Sequence, residues 1–205
     1  MSDAVRKRPG QRRSRDTVDV LMEAAAQMFT REGLATTTNR IAERAGVSIG
    51  TLYQYFPNKH AMLQELAVRH LLAGGEQLGQ VLIRLRETEP PFEETMRAII
   101  DVIVDLHSDR PALHALMHRV ATRLPGELAA LRAFEDHLVE EIGYHLHRCG
   151  RGGDDAALTA RTLVHVVDAQ VHRVPTRHPI TAEQVTMLVQ QLTSGIGPAD
   201  GRNSS

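Results

Sequence analysis

The stretch Thr37 to Lys59, TTNRIAERAGVSIGTLYQYFPNK, constrains the fold of this chain more than any other. Gly46 stands where a helix needs a left-handed residue to close its last turn, and the next residue, Val47, is apolar. Upstream, Thr37 or Thr38 can cap a short helix whose small apolar face is Ile41 and Ala42. Downstream, Ser48 can cap a second helix over Ile49 to Tyr55. Within that helix Leu52, followed by Phe56, faces the interior, and Phe29 from the preceding segment is placed to pack near Ile41 and Leu52. Two short helices around a glycine turn form a helix-turn-helix, in which the second helix is held out from the body of the protein.

The residues left on the outside of this unit have the chemistry of a nucleic-acid surface. Thr37 and Thr38 offer hydroxyls and backbone N–H groups at a helix start, which suit a phosphate oxygen. Gly50 lets the backbone approach a groove closely, and Thr51 offers a hydroxyl to phosphate and a methyl to thymine. Tyr53 and Tyr55, two of three tyrosines in the chain, fall within one turn of each other. Lys59 is placed for a phosphate. Asn39, Ile49, Gly50 and Gln54 are least constrained by the scaffold and are the expected determinants of base choice.

From the paired threonines through G-T-L-Y-x-Y-F to the following Asn-Lys, the stretch resembles the DNA-binding motif of TetR-family transcriptional regulators. The resemblance is specific over Val18 to Leu63. It implies DNA contacts at Thr37, Thr38, Asn39, Ser48, Ile49, Gly50, Thr51, Tyr53, Tyr55 and Lys59, to which the residue chemistry adds Gln54. It also implies an all-α homodimer that binds a double-stranded operator and answers to a small-molecule effector.

Composition agrees with a basic head on an acidic body. Residues 1–60 hold 10 Lys and Arg against 6 Asp and Glu, a net +4, whereas residues 61–205 hold 14 against 19, a net −5. Residues 1–15 include Arg6, Lys7, Arg8, Arg12, Arg13 and Arg15 and lack apolar periodicity, which reads as a solvated arm or one that follows phosphates. One cysteine, Cys149, excludes an internal disulfide and a multi-cysteine metal site. With no apolar run of spanning length and no signal region, no membrane association is expected and the cytoplasm is the expected location.

The rest of the chain reads as helices. A helix from about Thr17 to Glu32 precedes the motif, and a long one capped by Asn58 follows to about Glu87. Gly74, Gly75 and Gly79 interrupt it, either as a break into two helices or as a kink. Further helices open at Pro90-Pro91, at Asp109–Pro111, at Pro125-Gly126 and at Asp154 or Asp155. A last one opens at Thr181, whose capping box with Gln184 is flanked by Ile180 and Val185. The expectation is an all-α fold of nine or so helices: a basic arm over 1–15, a head over 16–60, a ligand-binding and dimerisation body over 61–194, and a tail over 195–205. Within the body, the last long helices would pair two subunits. The resemblance implies a pocket there, with a lining drawn from Met96, Ile100, Ile103, His107, His114, Met117, Phe134 and Leu138, suited to a mostly apolar molecule.

Other function classes are less well supported by the residues. His114 with His118, and His165 with Asp168 and His172, have spacings that can hold a divalent ion, but neither set is complete and Arg161 sits on the second stripe. No metal and no cofactor are expected; a metal-responsive regulator is the alternative that these histidines leave open. No nucleophile elbow, phosphate-binding glycine loop or ordered base beside Cys149 appears, so no catalytic residues are assigned and no enzyme is expected. A sequence-indifferent architectural DNA binder would not need so large a body.

Overall fold

The structure, a computed structural model, describes residues 12–121, 125–172 and 181–193. Among the described residues every regular element is a helix: α1 (Arg12–Glu32), a short 3-10 turn (Gly33–Ala35), α2 (Thr38–Ala45), α3 (Ile49–Tyr55), α4 (Lys59–Thr88), α5 (Phe92–Ser108), α6 (Pro111–Ala121), α7 (Pro125–Arg148), α8 (Ala156–His172) and α9 (Ala182–Thr193). Most of the basic arm, Ile180 and the C-terminal tail lie outside the described residues.

Local chemistry sets most of these boundaries. The Asn58 side chain accepts the Ala61 N–H at 2.9 Å and opens α4. Asp155 accepts the Leu158 N–H at 2.9 Å and opens α8. At α9 both bonds of the capping box form, Thr181 N–H to Gln184 Oε1 at 3.1 Å and Gln184 N–H to Thr181 Oγ1 at 3.3 Å. Gly150, at φ +63°, closes α7, and the following Arg151 N–H reaches back to the Leu146 carbonyl at 2.9 Å. One expectation is corrected, and of the two alternatives for the glycines of α4 the break is set aside. Helix α1 begins at Arg12, not Thr17, and α4 runs unbroken through Gly74, Gly75 and Gly79 instead of splitting into two helices.

The chain divides into two compact units, Met1–Leu71 with Arg110–Leu128, and Leu72–Asp109 with Ala129–Ser205. The first is built on α1, whose Leu21, Ala25 and Phe29 are buried against Ile41, Leu52, Phe56, Met62 and Leu63. Leu113, Leu116 and Met117 of α6 belong to the same core. Two ion pairs one turn apart brace α1: Arg69 meets Asp19 at 2.7 Å, and Arg110 meets Glu23 at 2.8 Å. The Arg110 guanidinium holds the Glu23 carboxyl below its usual range, chiefly through this hydrogen bond.

In the second unit Leu78, Leu82 and Leu85 of α4 share a core with Phe92, Met96, Ile99 and Ile100 of α5, and with residues of α7, α8 and α9. A polar network lies beside it. Arg86 grips Glu141 with two hydrogen bonds, at 2.8 and 3.0 Å, and its guanidinium lies 3.7 Å from the centre of the Tyr144 ring. Arg148 donates to the carbonyls of Glu89 and Pro90, to Thr95 Oγ1 and to His145 Nδ1, so one guanidinium ties the α4–α5 connection to α7. Because Nδ1 of the fully buried His145 accepts, the ring proton sits on Nε2. Burial and the neighbouring Arg148 charge push the His145 pKa down.

Candidate nucleic-acid interface

The head is capped at each turn of the chain. Thr37, in extended backbone, accepts the Arg40 N–H at 3.3 Å and so is the N-cap of α2. Gly46 takes the left-handed conformation at φ +68°, and the Val47 N–H returns to the Ala42 carbonyl at 3.0 Å. Ser48 Oγ accepts the Thr51 N–H at 3.0 Å and starts α3. Ile41, Leu52 and Phe56 are completely buried, which fixes the rotation of both helices and thereby the residues that remain outside.

That exposed side holds Asn39, Ile49, Gly50, Tyr53 and Gln54. Ile49 and Tyr53 are 37% and 44% exposed, one turn apart on α3. The Tyr53 hydroxyl pairs with Thr38 Oγ1 at 3.1 Å, joining the start of α2 to α3. Ser48 and Thr51 hydroxyls pair at 2.8 Å. In each pair one hydroxyl donates its hydrogen to the other. A Cβ added at Gly50 would meet only Ser48 Oγ, at 3.7 Å, an ordinary contact. Nothing among the described residues requires glycine there, although glycine costs a helix on the order of 1 kcal/mol relative to alanine.

Two further residues expected to contact DNA have partners inside the head. Tyr55 is only 7% exposed and belongs to the head core, and its hydroxyl is 2.9 Å from that of Ser14. Lys59 directs its ammonium to the carbonyls of Leu34 and Thr36, at 2.6 and 3.1 Å, where it clasps the turn that leads into α2. These internal partners, Ser14 among them, are not legible in sequence patterning, because they are 41, 25 and 23 residues distant and no periodicity links them.

The residues expected to line a pocket are divided. Met96, Ile100 and Leu138 are buried in the second unit, with Ile103 and Phe134 packed against the same core. His107 is half-buried on α5, its Nδ1 2.6 Å from the Ile103 carbonyl. Met117 lies in the core of the first unit, and His114 in that unit sets its ring 4.4 Å from that of His70. Of the histidine pairs, His118 is half-buried on α6 and His165 is exposed on α8, with Asp168 half-buried; the His172 side chain lies outside the described residues.

Comparison with known proteins matches this architecture to one group. The profile of bacterial regulatory proteins, tetR family, matches residues 21–66. That of the tetracyclin repressor-like C-terminal domain matches residues 91–194, about half of the chain. An uncharacterized HTH-type transcriptional regulator of Mycobacterium tuberculosis is 28% identical over 119 residues, 58% of this chain and 57% of the relative. The chain thus spans little more than half the length of that relative. The transcriptional repressor KstR2 of the same organism is 49% identical over 47 residues, 22% of this chain and 24% of the repressor. Among solved structures, a TetR-like regulator from Rhodococcus sp. RHA1 superposes with a TM-score of 0.67 at 21% identity, covering 92% of this chain and 97% of that one. PfmR from Thermus thermophilus gives 0.65 at 21% identity, covering 85% and 97%. At such identities the likeness is one of fold, whereas the two profiles reach both units, and with them the chain belongs to the TetR family of bacterial regulatory proteins, a family of transcriptional regulators rather than enzymes.

Proposed function

We propose that this chain is a DNA-binding transcriptional regulator, a repressor that holds a palindromic operator as a homodimer and lets it go when a small, mostly apolar molecule binds the second unit. The observation that carries this reading is the exposed side of the head. It gathers Thr38, Asn39, Ile49, Gly50, Tyr53 and Gln54 around a short helix that the core rotates outward. With α3 in a major groove, the Thr38–Tyr53 and Ser48–Thr51 hydroxyl pairs meet phosphates, while Asn39, Ile49 and Gln54 face base edges. Tyr55 and Lys59 act by holding the head in shape. The repressor KstR2, similar to this chain over 47 residues, supports the sign of regulation.

Supporting the dimer, Leu158 of α8 and Met187 of α9 are 61% and 54% exposed on two helices that pack together in the second unit. Two-fold pairing through such faces spaces two α3 helices for two half-sites. Release follows if the effector binds more tightly to the form that cannot span both half-sites. The apolar residues Met96, Ile100, Ile103, Phe134 and Leu138 support an apolar effector. No described helix is long and apolar enough to cross a membrane, and the cytoplasm is the proposed place of action.

The test is footprinting of the full chain on the DNA upstream of its own gene, with sedimentation at micromolar concentration. A short two-fold symmetric footprint made by a dimer is expected, and it should disappear with molecules that raise the melting temperature in a thermal-shift screen. Uniform protection identifies an architectural protein instead. A footprint that metal ions or EDTA switch on and off favours the metal-responsive alternative, and no protection overturns the DNA-binding reading.

A further inference from the structure

Resting on that DNA-binding reading, we infer that the chain selects its half-site through a thymine methyl group packed against Ile49. Next to Ile49 the polar side chains of α3 are engaged with partners inside the head, whereas Gln54 lies exposed further along the helix. Ser48 Oγ accepts the Thr51 N–H and is paired with Thr51 Oγ1, at 3.0 and 2.8 Å. The Tyr53 hydroxyl is paired with Thr38. Gly50 carries no side chain, and Leu52 is completely buried. Beside these engaged groups Ile49 keeps its aliphatic side chain 37% exposed, with bare backbone at the adjacent Gly50 and the exposed Tyr53 one turn on.

A single exposed aliphatic residue is ordinary on a protein surface. This one differs because glycine beside it removes any side chain that would hold a duplex away, and because the fold itself does not require that glycine. A major groove offers an isoleucine one matching feature, the C5 methyl of thymine. Opposite guanine or cytosine the same side chain would strip water from O6, N7 or N4 and return no hydrogen bond. Ile49 therefore both favours thymine and disfavours G·C pairs at its position, while the hydroxyl pairs fix the register on the phosphates.

The experiment selects duplexes from a randomised pool with the full chain. Each thymine of the half-site is then replaced in turn by deoxyuridine, which removes only the methyl. At one position per half-site the substitution should weaken binding by about fourfold, the effect of one buried methyl-sized group. In Ile49→Ala thymine and uracil should bind within about twofold of each other at that position, and Ile49→Val should keep part of the preference. Tyr53→Phe should weaken binding overall yet retain the discrimination. Wild-type protein that tolerates uracil everywhere, or an Ile49→Ala protein that still prefers thymine, overturns the inference while DNA binding stands. Failure to select any duplex overturns the DNA-binding reading and the inference with it.

Discussion

Gly50 carries a helix-propensity cost that its described surroundings do not require. Its backbone is not left-handed and the space for a methyl is open, so the helix loses propensity without any internal return. Gly50→Ala is therefore expected to raise unfolding free energy by about 0.5–1 kcal/mol and, on the proposed DNA-binding reading, to weaken DNA binding by more than about tenfold, because the added methyl would meet the groove. Urea denaturation and fluorescence anisotropy read the two effects; a variant that binds as well as wild type shows that no close approach occurs. Lys59 makes the complementary case. With its ammonium on two carbonyls of the turn before α2, Lys59→Gln should weaken binding through loss of head geometry and leave the salt dependence nearly unchanged. A true phosphate contact would instead flatten the slope of log K against log salt by about 0.9 for each head. At this scale the sequence shows which residues have contact chemistry, but not which are already engaged: Thr37, Thr38, Tyr55 and Lys59 look alike as candidates until their partners are known.

At the scale of elements, α4 carries three glycines with different surroundings. A Cβ at Gly74 would lie 3.3 Å from Leu106 Cδ1, so α5 packs closely there, whereas at Gly79 nothing among the described residues lies within 4 Å. Gly79→Ala should thus stabilise the chain by about 0.5–1 kcal/mol, and Gly74→Ala should gain less because Leu106 has to give way. Equal gains in urea midpoint would refute the packing role of Gly74. The caps of α2, α3, α4, α8 and α9 were all legible as short local spacings, because a cap involves only residues three or four apart. The early start of α1 was not legible, since its first turn is tied to the head through the Ser14–Tyr55 hydroxyl pair. Nor was the place of α6. Leu113, Leu116 and Met117 form an apolar stripe that fits any core, and only the packing on α1 assigns them to the first unit.

For the whole molecule, the ionisable groups whose pKa the fold shifts predict how stability follows pH. His145 is completely buried with its pKa pushed below the ordinary 6.5, by burial first and by Arg148 next. An unfolded chain takes up that proton more readily than the folded one, so stability is complete above 6.5 and declines as pH falls below it. Glu141 and Glu23 are shifted below the ordinary 4.5, chiefly by hydrogen bonds from Arg86 and Arg110. Their contribution is complete above 4.5 and is lost as pH falls through the lowered folded values. Urea midpoints measured from pH 7.5 downward should therefore decline in two stages. In His145→Gln the first stage should vanish and the second remain; a first stage that persists would assign it to another group.

The sequence by itself determined the helices, their caps, the helix-turn-helix and the family, because these depend on residues a few positions apart and on a motif held within one stretch. Only the tertiary structure decided which side of α3 is left bare, which hydroxyls and ammonium groups are already engaged, and which unit receives α6. Those outcomes depend on side chains that meet across tens of residues. One apolar stripe or one hydroxyl is chemically equal to another until a particular partner is packed against it.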